Sequence, residues 1–161
     1  MRSLSVRLSL GTLAVLFLFA CQNKAMEMPS STEQSFDSLK AQEYGADDYG
    51  MRKYVIAFLN RGPNRDMSPE KASKLQAAHM KNIGAMAEAG KLVLAGPFFG
   101  NDDLRDLYFF NVETIEEAEA LTNTDPAIQA GSLVLELKEW YGSAALMAVN
   151  DIHNTIAKVD I

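Results

Sequence analysis

The stretch from Ser68 to Phe98 constrains the fold most, because it predicts a helix, a stop and a buried strand in direct succession. Ser68 is a favourable N-cap, and Pro69 suits the first helical position, where a missing N–H costs nothing. Apolar residues then recur at spacings of three and four, which predicts one apolar helix face: Leu75, Ile83, Met86 and Ala87, with His79 at its centre. Gly90 predicts a left-handed end of the helix, and the run LVLA at 92–95 predicts a strand.

His79 is a candidate functional residue, because it lies on the inward face of this helix. Imidazole titrates near neutral pH and is the commonest general acid or base in enzymes. The alternative is a core histidine bonded to a backbone carbonyl, and the sequence leaves both interpretations open. In either case, a buried ring needs a hydrogen-bond partner from elsewhere in the chain.

The remaining patterns complete the order β-α-β-β-α-β. Apolar runs rich in β-branched and aromatic residues predict four strands, at 54–59, 92–95, 107–112 and 133–140. The Thr-x-x-Glu sequence that begins at Thr114 is typical of a capping box and opens the second helix. This order predicts an α+β, ferredoxin-like fold, in which both helices cover one face of an antiparallel sheet.

The second face of this sheet also needs a cover. The run YVIAFL at 54–59 places apolar side chains on both faces, and two helices cover only one of them. We therefore expect a homodimer that packs sheet against sheet. A last helix after Ser143 could cover part of this face instead, or could lie across the partner. Its predicted inward residues are Leu146, Val149, Ile152 and Ile156.

The first 21 residues resemble the leader of a bacterial lipoprotein. Arg2 and Arg7 precede an apolar run over 8–20 that is too short to span a bilayer and suits a secretory signal. The run ends in LFAC, which resembles a lipobox, so Cys21 is predicted to carry a lipid that anchors the chain to the membrane. By resemblance to the sorting of bacterial lipoproteins, Gln22 rather than Asp after the cysteine implies the outer membrane of the bacterial envelope. The alternative is an ordinary signal peptide with a chance cysteine.

The predicted organisation has four parts: a signal peptide over 1–20, a lipidated flexible tether over 21–50, a ferredoxin-like domain over 51–142 and a C-terminal helix over 143–161. The tether is polar and lacks helical or strand periodicity. Residues 1–20 hold two arginines and no acid, so their removal changes the formal net charge from −6 to −8. An acidic chain without a basic stripe binds nucleic acid poorly, and we expect no nucleic-acid partner.

Asp125 is the candidate partner of His79. It precedes Pro126, which predicts an N-cap for a short turn that ends at Gly131. A capping carboxylate keeps one oxygen free, so the two roles are compatible. The sequence does not decide whether Asp125 and His79 meet. If they do, Asp125 would orient the imidazole and favour its protonated form, which makes a His–Asp acid/base pair.

Other chemistry is sparsely represented. Arg61 and Arg65 flank Gly62-Pro63 in the loop after the first strand, where they could clamp an anionic substrate or remain solvated charges. The sequence contains no Gly-rich phosphate loop, no Gly-x-Ser-x-Gly elbow and no Cys-x-x-Cys pair. The other histidine, His153, is expected at the surface. We therefore predict no metal site and no cofactor.

Several of these motifs together resemble the YCII-related (YciI-like) domain family. The matching segments, between Lys53 and Tyr141, are YVIAFL, LQAAHMKNI, GKLVLAGPF, TIEEAEAL, Asp125-Pro126 with Ala130-Gly131, and LVLELKEW. The resemblance implies a dimeric α+β barrel of ferredoxin-like subunits. It also implies an active site built on a histidine and an aspartate, which map to His79 and Asp125. One relative is a dehydrochlorinase acting on a chlorinated hydroxyquinol, so small-molecule lyase chemistry is implied as well.

Two functions follow as hypotheses. The first is an envelope-anchored small-molecule enzyme of lyase or isomerase type, with His79 as general acid/base and Asp125 as its orienting partner. The second is a non-catalytic ligand-binding or structural module of the envelope, which the lack of metal, nucleotide and nucleophile motifs favours. An open pocket around the two side chains would support the first, and a closed core would support the second.

Overall fold

A computed structural model of the chain describes residues 35–159. The predicted signal peptide, Cys21 and the first part of the predicted tether lie outside the described residues. The helices are α1 (Ser38–Glu43), α2 (Pro69–Glu88), α3 (Ile115–Thr122), α4 (Pro126–Gln129) and α5 (Val149–Ile156), with a 3₁₀ helix at Ala144–Ala148. The strands are β1 (Met51–Arg61), β2 (Leu92–Pro97), β3 (Leu104–Phe110) and β4 (Leu133–Ser143).

The four strands form one antiparallel sheet in the order β2-β3-β1-β4. This order confirms the predicted ferredoxin-like α+β fold. The sheet is open, and these strands do not close into a barrel within the chain. The strands β1, β2 and β4 extend beyond their predicted apolar runs at one end or at both. The strand β3 instead begins three residues before its predicted run and ends two residues before the end of that run. Ladder hydrogen bonds extend strands into polar residues that a hydrophobicity pattern cannot detect.

The core lies between the sheet and the helices. Val55, Ala57 and Leu59 alternate along β1 toward this side, and Phe110 and Tyr108 lie opposite Val55 and Ala57 on β3. Three apolar residues of β4 pack on the same core: Leu133, Leu135 and Leu137. The apolar stripe of α2 packs there too, with Leu75, Ile83, Met86 and Ala87.

Local signals set the ends of the helices as predicted. Ser68 caps α2 by accepting the Lys71 N–H at 3.3 Å, and Gly90 ends it with φ = +67°. Thr114 and Glu117 form the predicted capping box of α3. These interactions join residues at most four positions apart, so the ends of the helices can be predicted from the local sequence alone.

The last part of the predicted flexible tether, 21–50, is ordered, and the prediction is wrong for this part. It contains α1, and its Asp47 carboxylate accepts a hydrogen bond from the Tyr141 hydroxyl of β4. Arg52 of β1 donates to the Tyr44 carbonyl at 2.7 Å. Because these partners lie on distant strands, a local search for periodicity does not reveal them.

The C-terminal segment also differs from its prediction. β4 continues to Ser143, and the 3₁₀ helix and α5 replace a single helix. Ile152 and Ile156 were predicted to point inward, which is wrong, since they are 57% and 73% exposed. Asn150 holds the segment in place by donating to the Leu92 carbonyl at 2.9 Å. The apolar spacing of α5 therefore marks an exposed apolar face.

The outer face of the sheet, opposite the helices, is apolar at its centre. Tyr54 and Ile56 of β1 are buried there, and the Trp140 ring lies 5.9 Å from the Tyr54 ring. Lys138 and Glu136 form an ion pair on the edge strand β4. Three apolar side chains on this face remain 37–45% exposed: Leu94, Val134 and Trp140.

Candidate active site

His79 and Asp125 meet in the folded chain. The His79 Nδ1 lies 2.8 Å from Asp125 Oδ2 and 3.0 Å from Oδ1. Both residues are buried, with exposures of 4% for His79 and 0% for Asp125. A carboxylate accepts only, so in the neutral imidazole the proton resides on Nδ1 and the Nε2 lone pair is directed away from Asp125.

Asp125 reaches His79 because it is also the N-cap of α4. Its Oδ1 accepts the Ala127 N–H at 2.8 Å, which fixes the carboxylate at the start of the helix. α4 packs against α2, and this contact brings the cap to the centre of the α2 apolar face. The cap role and the pairing role are therefore served by one side chain, as the sequence had left open.

Tyr108 is a third member of the site that the sequence analysis missed. Its hydroxyl lies 3.3 Å from His79 Nε2, and the side chain is buried on β3. Burial, together with the negative charges of Asp125 and Asp106, raises the pKa of Tyr108 far above its ordinary range. The phenol therefore keeps its proton and can donate to Nε2. Tyr108 lies in the apolar run 107–112 that predicted the third strand, but such a run does not show which residue faces His79.

A cavity of about 630 Å³ opens beside this group, between α2, the strands β2 and β3, and the start of β4. His79 and Tyr108 line it, whereas Asp125 lies behind the histidine. The α2 wall of the cavity follows a helical spacing of three and four residues: Ala72, Leu75, Gln76, Met80, Ile83 and Gly84. A cavity of this size, mostly apolar with a few polar groups, is typical of a small-molecule site.

The arginines predicted to bind substrate separate in the structure. Arg65 lines the cavity and donates to the Ser132 carbonyl at 3.2 Å. Arg61 does not line it, and its guanidinium donates to the Asn101 carbonyl at 2.8 Å. Gly62 between them lies so close to the Gly131 backbone that a Cβ would come within 2.2 Å of its carbonyl oxygen. This close approach holds the loop that carries Arg65 beside the cavity.

Two further charged residues line the same cavity, Arg105 and Asp106 of β3. Burial raises the pKa of Asp106, while the positive charges of His79 and Arg105 oppose the shift. Asp106 was not among the candidate residues predicted from the sequence. The sequence around a charged residue in a strand does not show whether its side chain faces a cavity or solvent.

Gly84 provides a test of how the cavity is built. It lies within α2 at a negative φ, where a Cβ would meet no atom within 4 Å. Gly84→Ala is therefore expected to increase the free energy of unfolding by about 0.5–1 kcal/mol, because alanine loses less backbone entropy in a helix. Urea denaturation measures this change.

Gly50→Ala is the matched control for Gly84. Its added Cβ would also meet open space, but Gly50 has φ = +73°. The left-handed conformation costs an alanine roughly 1–2 kcal/mol, so this variant should be destabilised. If Gly84→Ala also lost stability, the α2 cavity wall would be packed differently from the description above.

Metal and membrane features are limited in the described part of the chain. Residues 35–159 contain no group of three or more His, Cys, Asp or Glu side chains that could hold a metal ion. Over the same residues, no helix has the length and apolar character needed to cross a bilayer.

Fold and site together define a class of protein: a ferredoxin-like α+β domain with a buried histidine–carboxylate pair beside a cavity of small-molecule size. Residues 53–141 match the YCII-related domain family, and the chain belongs to that family. The matched range is the one over which the sequence motifs resemble it. None of the curated proteins compared matches the chain.

One solved structure similar to this chain is 5-chloro-2-hydroxyhydroquinone dehydrochlorinase from Burkholderia phenoliruptrix AC1100, in complex with 2,5-dihydroxybenzoquinone. The two chains are 18% identical, with a TM-score of 0.42. The match covers 55% of this chain and 93% of the dehydrochlorinase.

Proposed function

We propose that this protein is a small-molecule enzyme of lyase or isomerase type, with His79 as the general acid/base and Asp125 as its orienting partner. One observation carries the proposal: a buried imidazole bonded to a buried carboxylate also lines a cavity of about 630 Å³. A purely structural pair would have no need of such a cavity, and catalytic groups concentrate where titratable residues face one.

The geometry suits proton transfer. Asp125 holds the Nδ1–H, so the lone pair of a neutral His79 lies on Nε2, and the ring lines the cavity. Asp125 also offsets the positive charge that the ring acquires when Nε2 accepts a proton. Tyr108 can donate to Nε2 at rest and move aside when a substrate engages it, since the 3.3 Å contact is long for a hydrogen bond.

A second candidate function is a non-catalytic ligand-binding or structural module. The observation in its favour is that both ring nitrogens of His79 already have protein partners, Asp125 and Tyr108. A fully satisfied histidine can serve packing alone. Under this alternative, the cavity would bind a small molecule without changing it.

Turnover of a small molecule by the full-length chain tests the proposal. The chain is incubated with a mixture of metabolites without added cofactor, and the mixture is followed by one-dimensional NMR against a heat-denatured sample. Conversion of one compound, with shifts of the His79 ring signals, would support the enzyme. A compound that shifts these signals and stays unchanged throughout would favour the binding module instead.

We further propose that two copies pair through the outer face of the sheet. Its exposed apolar residues and charged edge match the apolar centre and polar rim of a protein interface. The double variant Leu94→Glu/Val134→Glu is expected to convert a dimer into a monomer, because it would bury unpaired charges at the contact. Sedimentation velocity measures the change.

Leu39→Glu is the control for this pairing, since Leu39 is an exposed apolar residue of α1 and does not belong to a strand of the sheet. It should leave the dimer intact. A wild-type chain that sediments as a monomer, or a double variant that remains dimeric, would contradict pairing through this face.

We also propose that a lipid on Cys21 anchors the chain to the bacterial envelope. Gln22, the residue after the cysteine, favours the outer membrane. The anchor is supported by the basic start, the apolar run and the LFAC sequence of residues 1–21. Cys21→Ser should release the chain from the membrane fraction. Unchanged fractionation of that variant would exclude a lipid anchor at Cys21.

A further inference from the structure

Asp106 is a carboxyl group that the proposed mechanism does not use. It lies two residues before Tyr108 on β3, so both side chains face the same side of the sheet. Its neighbours on the flanking strands, Leu59 and Pro97, are uncharged. Asp106 lines the same cavity as His79 and Tyr108 and is partly buried.

Within residues 35–159, the Asp106 carboxyl forms no hydrogen bond and no ion pair with another side chain. The adjacent Arg105 guanidinium donates instead to the carbonyls of Gly100, at 3.0 Å, and Asp102, at 3.5 Å. Burial without a partner raises the pKa of Asp106. The site therefore retains a carboxyl group that costs stability when charged, which is the pattern expected of a group reserved for a ligand.

We propose that Asp106 is a second proton-transfer residue of this cavity, and that it acts together with His79 on a substrate held between them. This inference rests on the proposed enzymatic function. Two such groups allow a cofactor-free reaction in which one group removes a proton and the other delivers one. The substrate class is therefore a small molecule with an acidic C–H next to a carbonyl or leaving group.

In an elimination or isomerisation, one proton leaves the substrate for Asp106 and one reaches it from His79. The Asp106 carboxylate takes the proton from carbon, and the electrons of that C–H bond form a new double bond. Protonated His79 delivers its Nε2 proton to the oxygen or leaving group that receives the displaced electron pair. Asp106 leaves protonated and His79 neutral, and exchange of one proton with water restores both groups.

The charges around Asp106 set the expected pH dependence. They come from His79 on α2, Arg105 on β3, Arg65 before α2 and Asp125 before α4, with the neutral phenol of Tyr108 alongside. Because the folded-state pKa of Asp106 lies above the unfolded one, the carboxyl stabilises the fold only at low pH. That stability is lost as the pH rises through the folded-state pKa.

Asp106→Asn should therefore raise the Tm at pH 7, and the gain should vanish as the pH is lowered through the ordinary aspartate range. A carboxylate kept for structure would behave in the opposite way, with a lower Tm for the amide at pH 7. Asp103→Asn, an exposed change of equal charge on the neighbouring turn, should leave the Tm nearly unchanged. A Tm of Asp106→Asn below that of the wild type at pH 7 would overturn the proposal.

The second measurement uses 5-nitrobenzisoxazole as a probe of a base in an apolar cavity. A base removes its ring C–H proton, the C–H electrons form the nitrile, the N–O bond breaks and 2-cyano-4-nitrophenolate is released. The wild-type full-length chain should accelerate this step, and Asp106→Asn should lower the rate about tenfold or more. The wild-type rate should rise with pH to a plateau as Asp106 ionises.

The controls separate this proposal from the proposed function. Asp103→Asn should retain the wild-type rate on the probe. Equal rates for wild type and Asp106→Asn, including no rate above buffer for either, would overturn the role of Asp106. Failure of the enzyme proposal would appear separately, as absence of turnover in the metabolite mixture.

Discussion

Asp125→Ala is expected to lower the free energy of unfolding by about 2–4 kcal/mol, since it removes a cap and leaves a buried donor unpaired. The side chain is fully buried and accepts from both the Ala127 N–H and His79 Nδ1–H. Urea denaturation monitored by circular dichroism measures the loss.

Ser68→Ala provides the matched control for the cap alone. Ser68 caps α2 through one exposed hydrogen bond and has no buried partner. Its loss should cost about 1 kcal/mol, in the range of a simple cap. If Asp125→Ala cost no more than Ser68→Ala, the pairing with His79 would contribute nothing to stability.

Asp125→Asn separates the two roles of the residue. The amide oxygen can still accept the Ala127 N–H, so the cap is retained. The amide nitrogen then faces His79 Nδ1 and can only donate, which requires the neutral imidazole to move its proton to Nε2. Nitrogen-15 NMR of the ring should report the Nδ1–H tautomer in the wild type and the Nε2–H tautomer in the variant. The same tautomer in both proteins would contradict the pairing.

His79→Gln is expected to reduce turnover of an identified substrate by about 10²–10⁴-fold, which is the usual contribution of a general acid/base. Glutamine can still donate to Asp125 and has no group that exchanges protons near neutral pH. The loss should therefore appear mainly in kcat, with a small change in KM. Steady-state kinetics on the compound found in the metabolite mixture measures it.

His153→Gln is the control for this substitution, because His153 is exposed on α5 and lies outside the cavity. It should keep wild-type kinetics. Full turnover by a folded His79→Gln protein would leave the ligand-binding module as the better account of the site.

Local chemistry explains which elements were predicted correctly. Ser68 and Gly90 mark the ends of α2, and the capping box at Thr114 opens α3, because each signal acts between residues a few positions apart. Apolar runs rich in β-branched and aromatic residues likewise located the four strands, whose order then defined the ferredoxin-like fold. Asp125 was recognised as a cap from its position before Pro126 alone.

Longer-range features were missed for a common physical reason. Residues 38–50 were included in the predicted tether over 21–50, because their structure depends on partners such as Tyr141 on a distant strand. Ile152 and Ile156 were placed inward, because amphipathic spacing identifies an apolar face without identifying what covers it. Arg61 and Arg65 looked equivalent in the loop, yet only Arg65 reaches the cavity.

The sequence by itself determined the caps, the strand and helix order and the choice of His79 and Asp125 as candidates. Only the tertiary structure decided that the two side chains meet, that Tyr108 contacts Nε2 and that Asp106 faces the same cavity. Caps and periodicity arise from bonds within a few residues of the chain. Tyr108 and Asp125 lie 29 and 46 positions from His79 along the chain, and their contacts with it exist only once α2 and α4 pack on the sheet.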